Sequence, residues 1–154
     1  MDMSLFSHFI FSFIATTGYA IFFNVPRKQI VYCGFVGAIG WLVCVLLNNN
    51  PVIAPAFANF VASLVITLLS EKLARILKKP AILFIIPGII PLVPGGGLYR
   101  AMLSFVQGDY DLAISTGIET LLISGSIAIG IMVTTSIYTS IKAYKTKILS
   151  SSKK

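Results

Sequence analysis

The sequence predicts an all-α integral membrane protein with about five transmembrane helices, the fourth of them broken at a proline–glycine motif. Of the 154 residues, 56% are apolar and only 11% are charged, whereas roughly a quarter of the residues in an average soluble domain are charged. The mean hydropathy is +0.91. Apolar runs long enough to cross a hydrocarbon core of about 30 Å fill most of the chain. We therefore expect a single transmembrane domain over residues 1–154, without a separate soluble domain.

The predicted spans are the apolar runs that lie between charged residues and helix breakers. In chain order they cover residues 5–23, 30–47, 52–69, 81–106 and 112–141. The connections are short, which is typical of antiparallel neighbours in a helical bundle. In the connection after the third span, Glu71 and Arg75 are four residues apart, so an ion pair on one helix face is expected there.

The basic residues predict the orientation of these spans. Eleven of the twelve Lys and Arg residues follow the first, third and fifth spans: Arg27, Lys28, Lys72, Arg75, Lys78, Lys79, Lys142, Lys145, Lys147, Lys153 and Lys154. The connections at residues 48–51 and 107–111 contain neither residue type. By the positive-inside rule, the N-terminus lies outside and the C-terminus is cytoplasmic. Cytoplasmic loops also explain the net charge of +7, so no nucleic-acid partner is expected.

The fourth span cannot form one continuous helix. It contains three prolines, the last followed directly by three glycines: Pro87, Pro91, Pro94, Gly95, Gly96 and Gly97. Proline removes a backbone donor, and glycine removes the steric preference for helix. Backbone groups left unpaired at bilayer depth must face protein, water or a ligand. At about 1.5 Å per residue, the break lies roughly 20 Å from the cytoplasmic end, so these residues and Gly88 are candidates for substrate binding.

A second half-helix is expected to begin near Leu98, with a positive dipole end suited to a carboxylate. In its first turn lies Arg100, the one Lys or Arg residue outside the cytoplasmic clusters. A guanidinium within a span is costly and is usually justified by pairing or by ligand binding. Arg100 is therefore a candidate clamp that holds a carboxylate through two parallel hydrogen bonds. The alternative is that its side chain extends to the outer headgroups.

Several other polar residues lie in or beside the spans. Glu119 has three alternative roles: an ion pair with Arg100, a proton carrier, or a residue of the outer interface. Asn59 fits a hydrogen bond between helices or, alternatively, a ligand contact, and Asn24 is a further binding candidate. The single histidine, His8, offers no partner set for catalysis or metal binding. Neither an enzyme nor a cofactor is expected.

Three segments resemble the threonine/serine exporter family, and within it the short five-helix subunit, which is YjjB-like. They are residues 23–26 (FNVP), 70–75 (SEKLAR) and 86–100 (IPGIIPLVPGGGLYR). The resemblance implies one half of a ten-helix secondary exporter in the plasma membrane, with a longer YjjP-like subunit as the other half. It also implies export of threonine, serine or a dicarboxylate such as succinate, driven by the proton gradient. It assigns no ligand residues, and the triple glycine is looser than a single glycine.

Two other functions are compatible with a small helical membrane protein, namely a channel subunit and a non-transporting membrane adaptor. A broken span would be an unexplained cost in an adaptor, because its unpaired peptide groups would have no purpose. Assembly with other subunits, identical or different, is compatible with all three functions. The hypothesis that the broken span is a solute site therefore favours the exporter.

Overall fold

The computed structural model describes the backbone of residues 5–151 and the side chains of residues 5–141 and 144. The lysines after residue 141, which contribute to the predicted orientation, have side chains outside this described part. Within the described residues the secondary structure is entirely helical, which confirms the all-α prediction. The elements are α1 (Leu5–Phe22), α2 (Arg27–Asn48), α3 (Pro55–Leu77), α4 (Ile82–Ile89), a 3₁₀ turn (Ile90–Leu92), α5 (Gly95–Val106) and α6 (Tyr110–Ser151).

By length and composition, three helices can each cross a membrane: α1, α2 and the part of α6 that spans Tyr110–Ile141. A bent pair formed by Ile82–Leu92 and Gly95–Val106 makes a fourth span if its two halves are counted together. The third predicted span lies in α3, which is outside this group and has charged residues in its last two turns. The fold therefore supports three to four apolar spans, and the predicted five-span topology stays a prediction.

The first four helices form a packed bundle. Helix α2 lies against α1, α3 and α4, and α3 also packs against α6. The helices approach closely where a glycine faces a small hydroxyl side chain. A Cβ added at Gly37 would collide with Thr16, and one added at Gly130 would collide with Ser63 and lie 3.0 Å from the Phe60 carbonyl oxygen. Small residues at such crossings allow the van der Waals contact that drives helix association in lipid.

Several buried hydroxyl groups in the bundle are satisfied within their own helices. The Thr16 hydroxyl donates to the Ser12 carbonyl oxygen over 2.8 Å, and the Thr67 hydroxyl donates to the Ser63 carbonyl oxygen over 2.8 Å. Such bonds pair a polar group without requiring a partner on another helix. The apolar core between them includes Phe84 and Ile66, both 0% exposed. The core therefore lies where α2, α3 and α4 meet.

The fourth predicted span is broken, with its two halves bent by 47°. Pro87 lies inside α4, the 3₁₀ turn follows, and Val93 is extended with φ −62° and ψ 122°. Helix α5 then begins at Gly95, three residues before the predicted start near Leu98. The reason is that the Pro94 carbonyl oxygen accepts hydrogen bonds from the N–H groups of Gly97 and Leu98, over 3.1 and 3.2 Å. The glycine run is thus the first turn of a helix, and the irregular backbone is confined to Val93 and Pro94.

Candidate functional site

A cavity of about 660 Å³ lies between α5 and α6. Its volume is within the range of roughly 300–1,000 Å³ that is usual for small-molecule sites. Apolar and small residues form part of the wall, namely Pro94, Gly96, Gly97, Leu103, Leu112 and Ile123. The polar part consists of Arg100, Ser104, Thr116, Glu119 and Thr120. The cavity therefore brings the break in the fourth span together with both charged residues that the sequence singled out within the spans.

Arg100 is exposed on the cavity wall. Its Nε donates to the Gly96 carbonyl oxygen, one turn earlier in α5, over 3.3 Å. Among the described residues, the guanidinium has no ion pair within 4.0 Å, and its two terminal nitrogens have no protein acceptor. Guanidinium is planar, and its paired N–H groups match the two oxygens of a carboxylate. Arg100 is therefore held at one end and free to bind an anion at the other.

Glu119 lines the same cavity from α6 and is also exposed. In the described structure it forms no ion pair with Arg100. The cavity thus presents one cation and one carboxylate on facing helices, and neither neutralises the other. A ligand that carries both charges can be held between two such groups, as can two separate ions.

Three hydroxyl side chains complete the polar wall, and the sequence analysis did not find them. Ser104 is 7% exposed and Thr120 is 3% exposed. The Thr120 hydroxyl donates to the Thr116 carbonyl oxygen over 2.7 Å. The signal that would have revealed these residues is helical spacing. Ser104 lies four positions after Arg100 on α5, and Glu119 and Thr120 lie three and four positions after Thr116 on α6, so each set follows the spacing of one helix face.

The first turn of α5 lies close to α6 because Gly97 has no side chain. A Cβ at that position would collide with the Thr120 hydroxyl and lie 3.4 Å from Thr120 Cβ. By contrast, a Cβ at Gly95 or Gly96 would meet no heavy atom within 4 Å. Gly96 lines the cavity and Gly95 does not. Three consecutive glycines therefore have different surroundings.

The N-terminus of α5 offers fewer free donors than the sequence predicts. The Gly95 N–H donates to the Val93 carbonyl oxygen over 2.8 Å, and those of Gly97 and Leu98 donate to Pro94. The macrodipole still favours an anion near this end. However, the Arg100 guanidinium is the stronger source of attraction, since it carries a full charge and unpaired donors.

The structure separates three of the proposed binding residues, Pro87, Gly88 and Pro91, from the cavity. Pro87 and Gly88 are buried in α4. A Cβ at Gly88 would lie 3.1 Å from side-chain carbons of both Ile66 and Val36, which indicates helix packing. Pro91 is half-buried in the 3₁₀ turn and does not line the cavity either.

The two asparagine candidates also lie elsewhere. Asn24 follows α1 in a left-handed conformation with φ 55°, and its N–H donates to the Ile21 carbonyl oxygen over 3.0 Å. The Asn59 side chain is 7% exposed, and its Nδ2 donates to the Pro55 carbonyl oxygen over 2.9 Å. That bond lies within α3, whereas a bond between helices was expected. Their structural surroundings account for both residues.

Comparison with known proteins places the chain in a family. The family model described as "Threonine/Serine exporter, ThrE" matches residues 8–137, which include the break and the whole cavity. An uncharacterized protein of Haemophilus influenzae is 36% identical over 133 residues, covering 79% of this chain and 43% of that protein. The chain therefore spans less than half the length of this relative. No solved structure matches. On the extent of the family match, the chain belongs to the threonine/serine exporter family, a family of transporters.

Proposed function

We propose that the chain is a membrane subunit of a secondary exporter for small solutes that carry a carboxylate. The observation that carries this proposal is the cavity between α5 and α6, where the Arg100 guanidinium has free donors beside a break in an apolar span. A cation within a membrane span is energetically costly, and such residues are usually found where they form an ion pair or bind a ligand. Binding the carboxylate of a solute through two charge-assisted hydrogen bonds would account for Arg100 at this position.

The pair of charges favours an amino acid over a dicarboxylate as the solute. A zwitterion such as threonine or serine has a carboxylate for Arg100 and an ammonium group for Glu119. Its hydroxyl group has partners in Ser104 or Thr116 on the same wall. A dicarboxylate such as succinate would bring a second negative charge towards Glu119, which is unfavourable unless Glu119 is protonated. Threonine or serine is therefore the proposed class of substrate, with succinate as the test of charge selectivity.

Glu119 is also the proposed proton carrier of the transport cycle. When it is protonated, it no longer holds the ammonium group of the solute, so proton binding and solute binding compete. Competition of this kind couples two fluxes in opposite directions, because each ligand stabilises a different state. Export should then stop when the proton gradient is collapsed. Efflux that is insensitive to the gradient would favour a channel.

The functional unit is proposed to contain a second half, a longer YjjP-like subunit in the same plasma membrane. In support, the Haemophilus relative has more than half of its length outside the matched region. Helix α5 also has a broad exposed apolar face, formed by Leu98, Tyr99, Met102, Phe105 and Val106. In this proposal the chain crosses the membrane five times, with an external N-terminus and a cytoplasmic C-terminus. An odd number of spans would let two such halves have opposite topology around a central site.

The test is efflux of radiolabelled threonine and serine from cells that carry both subunits, at equal membrane abundance of each variant. We expect Arg100→Ala to lower efflux by roughly 10- to 100-fold, which corresponds to losing a charge-assisted hydrogen-bonded contact. Arg100→Lys should recover only part of this loss, because it restores charge without the planar fork. Glu119→Gln, which mimics the protonated side chain, should weaken solute binding and make the efflux that remains independent of the proton gradient.

The matched control is Arg27→Ala, since Arg27 is an exposed arginine at the start of α2, outside the cavity. It should retain wild-type efflux. If Arg100→Ala retains wild-type efflux as well, the guanidinium belongs to the headgroup region and the proposed site is wrong.

A further inference from the structure

A second cavity, of about 610 Å³, lies between the C-terminal part of α3 and α6. Its wall contains three cations, Arg75, Lys78 and Lys79, and one carboxylate, Glu71. Tyr138 and Thr139 of α6 add two hydroxyl groups. None of these residues belongs to the cavity between α5 and α6, and the proposed transport function does not use them. We call this second cavity the basic cavity.

Arg75 is held by an aromatic ring. Its Cζ lies 4.5 Å above the centroid of the Tyr138 ring, which is a cation–π contact. The predicted ion pair with Glu71 is absent from the described structure, so that prediction is wrong. The contact with α6 replaces it, because a guanidinium stacks well on an aromatic face and keeps its edge N–H groups available. Arg75 is therefore positioned by its stack and still able to bind an anion.

The turn after α3 brings the two lysines to the same cavity. Lys78 adopts a left-handed conformation with φ 51°. This turn lets the Lys79 N–H donate to the Ala74 carbonyl oxygen over 2.9 Å. A left-handed conformation costs a residue with a side chain roughly 1–2 kcal/mol. Among the described residues that line it, three cations face one carboxylate, so the basic cavity has an excess of positive charge that favours anion binding.

Exposed apolar side chains lie near the residues of the basic cavity in sequence. Ile76, Ile82 and Ile141 are 74%, 60% and 49% exposed, and each directly adjoins or closely follows a segment that lines the cavity. Acyl chains are stabilised by contact with exposed apolar side chains, whereas a water-soluble anion is not. The basic connections are also predicted to be cytoplasmic, where anionic lipids attract clusters of Lys and Arg.

We infer that the basic cavity binds the phosphate of an anionic phospholipid headgroup, with the acyl chains on the adjoining isoleucines. The headgroup phosphate would contact Arg75 and the two lysines. The site is separate from the proposed solute cavity, so either proposal can fail without the other. Free inorganic phosphate presents the same oxygens, and the experiment is arranged to distinguish it from lipid.

The experiment uses the full chain purified in detergent micelles and measures lipid binding by native mass spectrometry and by the rise in melting temperature. The lipids are phosphatidylglycerol and phosphatidylcholine, and inorganic phosphate is the third probe. We expect phosphatidylglycerol alone to raise the melting temperature. The double substitution Lys78→Gln with Lys79→Gln should weaken its binding by roughly 30-fold, taking about fivefold for each cation near a membrane surface.

The matched control removes the same charge elsewhere on the side predicted to be cytoplasmic, through Arg27→Gln with Lys28→Gln. It should change phosphatidylglycerol binding by less than about threefold, on the same scale. An equal loss in both double variants would assign the binding to overall charge and overturn the inference. Stabilisation by inorganic phosphate that matches the lipid would overturn it in favour of a free anion.

Two milder variants keep the test decisive if the double variant unfolds. Tyr138→Phe preserves the ring beneath Arg75 and should leave lipid binding within about threefold of wild type. Tyr138→Leu removes the stack and should weaken binding by about fivefold or more, because Arg75 is no longer positioned. Equal affinities of these two variants would contradict the role of the stack in positioning Arg75. The melting temperature in phosphatidylcholine reports whether each variant is folded.

Discussion

The two halves of the broken fourth span differ in how they pack. Helix α4 contributes Phe84, Ile85, Pro87 and Gly88 to the buried part of the protein, and it contacts α2 and α3. Helix α5 is longer, yet Ser104 is its single buried residue among those described. It packs chiefly against α6. One half of the span therefore acts as scaffold, and the other half forms the wall of a cavity, although both derive from the same proline–glycine motif.

The largest expected difference between the halves comes from enlarging one glycine in each. Gly88→Leu should destabilise the protein by about 1–3 kcal/mol, because it overpacks the contact with Val36 and Ile66. Gly96→Leu should leave stability nearly unchanged, since a Cβ there meets nothing within 4 Å. It should nevertheless abolish efflux by filling the cavity. Thermal unfolding and efflux of the two variants check this, and a stability loss shared by both would contradict the division into scaffold and wall.

A smaller effect is expected from alanine in the first turn of α5. Gly97→Ala should cost about 1 kcal/mol, because its Cβ collides with the Thr120 side chain and α5 must move away from α6. Gly95→Ala, with open space around it, is the matched control and should be neutral or stabilising.

Adding Thr120→Ala should restore the stability of Gly97→Ala, which a double-mutant cycle measures as a coupling energy. A coupling energy near zero would show that α5 does not rest on α6 at Gly97.

An effect of similar size and opposite sign is expected at the turn that leads into α4. Lys78→Gly should stabilise the protein by about 1 kcal/mol, because glycine adopts the left-handed conformation at φ 51° without steric cost. Asn24→Gly, at φ 55°, should change stability by only a few tenths of a kcal/mol, since asparagine tolerates this conformation. Denaturation in phosphatidylcholine-containing micelles, without anionic lipid, compares the two. A destabilised Lys78→Gly variant would contradict the steric argument.

The sequence predicts the break well, because proline lacks a donor wherever it occurs in a helix. It also singles out Arg100 and Glu119, which both line the cavity, since a charge in an apolar span stands out locally. It does not distinguish Gly88 from Gly96, which belong to one motif. Their surroundings differ only because α4 packs on α2 and α3 while α5 packs on α6, and such contacts between distant segments are not encoded in local spacing.

The same limit explains the residues that local spacing assigned wrongly or missed. The spacing of four residues predicts an ion pair between Glu71 and Arg75, but the Arg75 guanidinium stacks on the Tyr138 ring of α6 instead. In the sequence, Thr116 and Thr120 resemble ordinary small residues of an apolar helix. Only the packing of α5 against α6 shows that they line the same cavity as Glu119. Helical spacing identifies candidates on one helix, and the packing of a second helix decides which of them line a site.

The most direct test of the central claim is the water and solute accessibility of the cavity wall in α5. Both native cysteines are free and buried, so Gly96→Cys and Met102→Cys can be compared in a Cys33→Ala, Cys44→Ala background. The rate of reaction with a charged thiol reagent is measured in membranes that contain this chain together with its proposed partner subunit. We predict that Gly96→Cys reacts faster than Met102→Cys and that threonine or serine slows only the reaction of Gly96→Cys. Equal rates, or a Gly96→Cys rate that the solute leaves unchanged, would contradict it.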